Sequence, residues 1–270
     1  MDRKMIFFDI DGTLLTPPPD HFVPESAIEA VHMAQKNGHY TFINSGRTLF
    51  FIPEQIKNIG FDGFVCGCGT HVYFHNETLF SYTIPHALCK EIILLLRKCR
   101  IRAFFEENSA LLFDTQSPVY CQEQETLRLR SNGSDLGNIE NNSSLHFDKF
   151  MVFMDDNCDR TSFFNFIKDQ FEYISHEENV GEVIPRQFSK ATGIQLLTEK
   201  LSIPLENCYV IGDSPNDLPM LKYVPNSIAM GNSNKEILPY CSYQTTDILD
   251  DGNYHALDHF YLIYILKRVL

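Results

Sequence analysis

Asp9 and Asp11, one residue apart, close an apolar run that begins at Met5. A carboxylate is costly to bury without a partner, so such a run ends either at the surface or at a site. A second acidic pair follows another apolar stretch. Asp213 comes after Val210-Ile211-Gly212, and Asp217 stands four residues further on. Strand alternation points Asp9 and Asp11 the same way. Carboxylates that close together repel, and one pKa rises unless a cation sits with them. Magnesium, a hard cation that prefers oxygen ligands, resolves that conflict. Asp213 and Asp217 also suit helix caps, but two acidic pairs that each follow an apolar strand favour one shared site.

Two further stretches could handle an anion. Asn44-Ser45-Gly46-Arg47 offers a hydroxyl and a flexible backbone ahead of a helix, a corner whose N–H groups can hold phosphate oxygens; Ser45 could equally be a cap. Ser189-Lys190 opens a later helix, where a lysine could neutralise a transferring phosphoryl group or simply face solvent. His71 with His75, and His255 with His259, are i,i+4 pairs able to bind metal if helical, though neither has the acidic neighbour of a zinc-protease helix. Cys66 and Cys68 form a CxC without a second pair, so no zinc site is expected.

The elements that must position these residues alternate. Residues 4–10 read as a buried strand by length and composition. Pro24 to Asn37 reads as a helix stopped by Gly38, Tyr40 to Ile43 as a strand, Leu49 to Ile59 as a helix and Phe64 to Cys66 as a strand. This rhythm argues for an α/β fold, a parallel sheet with helices on both faces. Ligands in such doubly wound sheets sit at the C-terminal strand ends, where Asp9 and Asp213 fall. The rhythm changes after about residue 81. His86 to Cys99 is helical, Arg102–Glu106 and Leu111–Asp114 suggest an antiparallel pair, and 131–146 is polar enough for a long exposed loop. Lys149 to Met154 reads as a strand, Asp159 to Asp169 as a helix, and Glu172–Ser175 and Glu182–Ile184 as strands. The first rhythm resumes with a helix from Lys190 to Lys200, strands at Cys208–Ile211 and Ser227–Met230, a short helix at Pro215–Lys222, and a closing helix from about His255 to Arg268.

Bulk properties narrow the class. The chain has 270 residues, 44% hydrophobic and 21% charged, ordinary for a globular protein. A net charge of −13 argues against nucleic-acid or anionic-membrane partners. No signal peptide is expected, because Asp9 breaks the first apolar run, and Phe260–Leu266 is too short to span a bilayer. A cytoplasmic location with reduced cysteines follows as an expectation.

Taken together, DIDGTL at 9–14, NSGR at 44–47, SK at 189–190 and GDSPND at 212–217 resemble, in order, the four motifs of the haloacid dehalogenase-like (HAD) superfamily. The long insertion between the second and third resembles the Cof-type subfamily. The resemblance implies a Rossmann-like HAD core over 1–81 and 188–270, with an inserted α+β cap over 82–187 that closes over the site. It implies a Mg2+-dependent phosphatase acting on small phosphorylated metabolites such as sugar phosphates. Asp9 would be the nucleophile and Asp11 the acid-base. Asp9, the Asp11 carbonyl and Asp213 would hold the metal, with Asp217 behind them. Ser45, Gly46, Lys190 and Asn216 would bind phosphoryl oxygens. A phosphomutase with the same nucleophile and a non-catalytic phosphometabolite sensor are the alternatives. Cys68 stands where Cof-type chains usually carry Asn, and it receives no role.

Overall fold

The computed structural model describes residues 2–264. Met5–Phe8 forms β1, with no side chain exposed to solvent. A strand with neighbours on both edges and helices on both faces has no polar side to present. The chain continues through α1 (Glu25–Lys36), β2 (Tyr40–Asn44), α2 (Glu54–Lys57), β3 (Gly63–Cys66), β4 (His71–Phe74) and β5 (Glu77–Ser81). Next come α3 (His86–Cys99), β6 (Arg102–Glu106), β7 (Leu111–Phe113), α4 (Gln122–Arg130), β8 (Ser134–Asp135), β9 (Lys149–Phe153), α5 (Arg160–Ile167), β10 (Phe171–Glu177) and β11 (Val180–Pro185). The last segment holds α6 (Lys190–Leu201), β12 (Cys208–Gly212), α7 (Leu218–Tyr223), β13 (Asn226–Ala229), β14 (Tyr243–Gln244) and α8 (Gly252–His259). Two compact units result, one of Met1–Gly46, Ile52–Phe80 and Ser189–Leu270, the other of Arg47–Phe51 and Ser81–Phe188.

In the first unit the strand order is β14-β13-β12-β1-β2-β3-β4-β5. β14 through β3 run parallel, and β4 turns back antiparallel to β3. Phe7 sits level with Val210 on one side and Phe42 on the other. Met5, Phe7, Phe42 and Val210 face Ile194 and Leu197 of α6 and Met220 and Leu221 of α7 in one apolar core. α1 takes the opposite face: its Gln35 Nε2 donates to Thr41 Oγ1 at 2.9 Å, and Thr41 alternates with Phe42. α1 turns Ala27, Ala30, Val31 and Ala34 inward at helical spacing. This is the expected α/β architecture.

The second unit is a six-stranded sheet ordered β10-β11-β9-β6-β7-β8. β10 through β7 pair antiparallel, and β8 joins β7 in parallel. Ala103, Phe105, Phe150 and Val152 pack with Ile92, Ile93 and Leu96 of α3 and Phe163 and Ile167 of α5. Asp159 caps α5 by accepting from Ser162 N–H at 3.0 Å. The other face carries Phe104, Leu111 and Phe113 against Phe50 and Phe51. Glu106 and Lys149 share that face through the alternation of β6 and β9.

Several elements depart from the sequence reading. Leu49–Ile59 is not one helix. It is a 3-10 turn at Leu49–Phe51 and the single turn of α2, because Pro53 supplies no N–H and starts a new segment. Residues 131–146 are not wholly exposed: Leu136, Ile139 and Leu145 are buried. The closing helix begins earlier and ends at His259, with Phe260 as its C-cap. Leu266 and Arg268, assigned to that helix, lie outside the described residues. β4, β5, α4, β8 and β14 were not anticipated. No described helix is long and apolar enough to cross a membrane, and the eight cysteines are thiols rather than disulfides.

One buried charge cluster sits within the second unit. Lys149 Nζ contacts Glu182 and lies 3.3 Å from Glu106 Oε2, while Thr48 Oγ1 donates to the same Glu106 oxygen at 3.3 Å. Burial alone would raise the Glu182 pKa, but Lys149 and His176 outweigh it and hold it at about 2. His176 Nε2 lies 3.2 Å from Glu182 Oε2, and that bond raises the imidazole above its usual 6.5. A raised folded pKa gives stability that is complete below the unfolded value and fades as pH climbs through the folded one. The difference in melting temperature between wild type and His176→Asn should therefore be larger near about pH 5.5 than near about pH 8.5. A difference that is flat or grows with pH would contradict this linkage.

Candidate active site

Asp9 is the first residue past β1, and its N–H still donates to Ile211 O of β12 at 3.0 Å. Parallel pairing of β1 with β12 therefore brings Asp9 beside the turn that carries Asp213 and Asp217. Carboxylate oxygens of Asp9, Asp213 and Asp217 lie within 4.8 Å of one another, the one such group of three possible ligands among the described residues. The fold thus brings three of the four expected acids together. Asp11 is exposed, and its carboxylate is not a member of the group.

Lys190 enters from the first residue of α6 and is 1% exposed. Its Nζ donates to Asp9 Oδ1 at 2.6 Å, Asp217 Oδ1 at 2.5 Å and Asn216 Oδ1 at 3.3 Å. The ammonium thus grips carboxylates. Burial would lower its pKa, but Asp217 and Asp9 more than reverse that and raise it. Three carboxylates against one ammonium leave an excess of negative charge. Burial first, then repulsion from Asp217, raises Asp9, with Lys190 opposing. Burial and the Asp217 charge push Asp213 up to about 7. Hard oxygen donors converging with unbalanced charge fit a divalent cation such as Mg2+. Asp9 and Asp213 would hold it.

Asp217 answers both readings of its motif. Its Oδ2 accepts from Asp213 N–H at 2.9 Å and Ser214 N–H at 3.1 Å, closing a capping box. Its Oδ1 meets Lys190. It is fully buried, so it acts as the anchor that fixes the turn bearing Asp213.

Ser45 follows β2 and is 2% exposed. Its N–H donates to Val65 O at 2.9 Å, and its carbonyl accepts from Cys68 N–H at 3.1 Å. The Ser45 amide is therefore committed to the fold. Cys68 has φ 54 and ψ 36, so this buried thiol sits on a left-handed turn bracing the Ser45 loop. Gly193 in mid-α6 allows the helix to approach β3, since a Cβ there would lie 2.3 Å from Val65 Cγ1.

Three residues to which the sequence assigned no individual role also shape the site. Thr13 Oγ1 donates to Asp213 Oδ1 at 3.0 Å. Asn44 Nδ2 donates to Lys190 O at 3.0 Å and so ties β2 to the start of α6. Asn253 Nδ2 donates to Thr13 O at 2.7 Å. Thr13 lay in plain view inside DIDGTL, whereas nothing local marks Asn253. Neither histidine pair belongs to a group of three possible metal ligands among the described residues. His71 lies in β4, with burial pushing its pKa to about 4, and His75 follows it in a turn at φ 46. His259 stacks on Tyr243 at 3.8 Å between ring centroids.

A family model described as haloacid dehalogenase-like hydrolase matches residues 6–257. The phosphatase-named relative YkrA of Bacillus subtilis (strain 168) is 27% identical over 261 residues, 95% of this chain and 97% of its own. A solved hypothetical protein from Geobacillus kaustophilus HTA426 superposes with a TM-score of 0.84 at 27% identity, covering 97% of this chain and all of that one. The HAD subclass IIB sugar phosphatase BT4131 shares the fold, with a TM-score of 0.77 at 23% identity over 96% of this chain and 100% of its own. The chain belongs to the haloacid dehalogenase-like hydrolase family, and it is an enzyme of that family.

Gly12 sits at φ +78, and a Cβ there would fall 2.3 Å from Asp213 Oδ2. Gly12→Ala should therefore cost more than the ~1–2 kcal/mol of the left-handed backbone alone, because the methyl also displaces Asp213. Urea denaturation reads that loss. Unchanged stability would mean that the loop does not seat Asp213 as described.

Proposed function

We propose that this enzyme is a Mg2+-dependent phosphatase of small phosphorylated metabolites, sugar phosphates foremost, working through an aspartyl-phosphate on Asp9. The observation that supports the reading is the gathering of Asp9, Asp213 and Asp217 at the C-terminal ends of parallel strands, with Lys190 bound to Asp9 and Asp217. Lys190 occupies Asp9 Oδ1, which leaves Oδ2 to attack phosphorus. As the Asp9–phosphorus bond forms, the phosphorus–oxygen ester bond breaks, and Asp11 gives its proton to the leaving alcohol. Asp11, now a carboxylate, takes a proton from water, whose oxygen attacks phosphorus and releases Asp9. The exposure of Asp11 suits a group that exchanges protons with substrate and water. When bound, Mg2+ supplies positive charge that offsets the phosphoryl group and the carboxylates.

Ser45, Gly46 and the amide of Asn216 are the donors assigned to phosphoryl oxygens. Lys190 contributes its charge while holding Asp9 in place. The Asp11 carbonyl completes the metal ligands, and Asp217 supports them from behind. The second unit is assigned as the inserted cap that selects the leaving alcohol, and a small soluble metabolite as the partner.

The test is phosphate release from p-nitrophenyl phosphate and a panel of sugar phosphates, with Mg2+ and with EDTA, for wild type and Asp9→Asn. Wild type should release phosphate only with Mg2+, and Asp9→Asn should fall by roughly a thousandfold or more. Release that persists in Asp9→Asn would overturn the nucleophile, and a wild type inactive on every ester would overturn the phosphatase reading.

A further inference from the structure

Asn253, the second residue of α8, is 2% exposed and lies far from the acidic motifs in sequence. Its Nδ2 donates to Thr13 O at 2.7 Å, while its Oδ1 is buried with no hydrogen-bond partner among the described residues. An orphaned buried carbonyl lowers stability and so offsets what the bond to Thr13 O contributes. The amide is therefore poorly explained as a stabilising contact.

Its effect is local to the loop after Asp11. Thr13, the residue whose carbonyl Asn253 holds, directs its hydroxyl to Asp213 Oδ1 at 3.0 Å. A second amide grips the preceding carbonyl: Asn232 Nδ2 donates to Gly12 O at 2.7 Å, with its own Oδ1 fixed by Ile248 N–H at 3.1 Å. Two consecutive carbonyls are thus held from the C-terminal segment, so neither peptide can rotate. The frame around Asn253 is itself fixed, since Thr245 Oγ1 donates to Gly252 O at 2.7 Å. Rotation of the Thr13 peptide would carry its hydroxyl away from Asp213. Rotation at Gly12 would change the backbone on which Asp11 stands.

We propose that Asn253, with Asn232 beside it, is a positioning residue for the acidic site: it clamps the Gly12–Thr13 backbone so that Thr13 keeps Asp213 in place for the cation. The inference rests on Asp213 being a metal ligand, as in the proposed function. It concerns a residue that touches neither substrate nor cation.

The experiment uses the full chain with Asn253→Ala, Asn253→Leu and, as control, Asn226→Ala. Asn226 donates its amide to Glu206 O and Cys208 O, both at 2.9 Å, at the opposite end of β12. Two readouts are taken: the Mg2+ concentration at half-maximal thermal stabilisation, and kcat and KM for p-nitrophenyl phosphate. Both Asn253 variants should need roughly tenfold more Mg2+ and lose kcat, with KM within about twofold of wild type. Asn253→Leu should melt less far below wild type than Asn253→Ala, because both leave the Thr13 carbonyl without its donor but Leu refills the space. Asn226→Ala should melt lower yet keep the wild-type Mg2+ requirement. Asn253 variants with a wild-type Mg2+ midpoint would overturn the inference, as would an equal shift in Asn226→Ala. If wild type binds Mg2+ but releases no phosphate, the phosphatase reading fails while the melting data still decide the clamp.

Discussion

Lys190 is a fully buried cation whose three donors go to Asp9, Asp217 and Asn216. The arrangement around it follows from a charge problem. Parallel pairing of β1 and β12 delivers carboxylates to neighbouring strand ends, and packing removes the water that would screen them. One ammonium then binds two of the three acids, and the remainder shows in the raised pKa values of Asp9 and Asp213. Breaking a buried ion pair by deleting one partner is strongly destabilising. The surrounding bonds therefore read as a frame for Lys190. Asn44 fixes its carbonyl, the Ser189–Thr192 capping box fixes its helix start, and Asp217 ties its ammonium to the Asp213 turn.

The second unit meets a related problem in a different way. Lys149 lies between Glu106 and Glu182, and all three are buried. His176 adds a half-exposed partner whose charge depends on pH. Both clusters place a lysine among acids. Only the first gathers three carboxylate oxygens within 4.8 Å, and this separates a candidate metal centre from a paired charge network.

Much of this was legible in the chain because strand, turn and acid occur together in a short span. β1 and Asp9, β12 and Asp213, and α3 from His86 to Cys99 were all readable from apolar runs and their punctuation. Other features depend on tertiary context. Leu49–Ile59 kept helical apolar spacing, but Pro53 split it. Residues 131–146 are polar overall, yet Leu136, Ile139 and Leu145 bury themselves separately against the second unit's core. The closing helix was extended by its apolar residues, though the chain leaves the helix at Phe260. Lys190 is expected from its motif to bind phosphoryl oxygens, and its grip on Asp9 and Asp217 depends on the folded chain bringing them together. Asn253 lies 240 positions from Thr13, a separation that no local pattern bridges.

The central claim is that Lys190 balances the gathered carboxylates and that a divalent cation can take up the remaining charge. Chemical denaturation of Lys190→Met, with and without Mg2+, tests it most directly. Without metal the variant should lose roughly 3–5 kcal/mol relative to wild type, and Mg2+ should restore part of that loss. A Lys190→Met protein as stable as wild type and indifferent to Mg2+ would contradict the account.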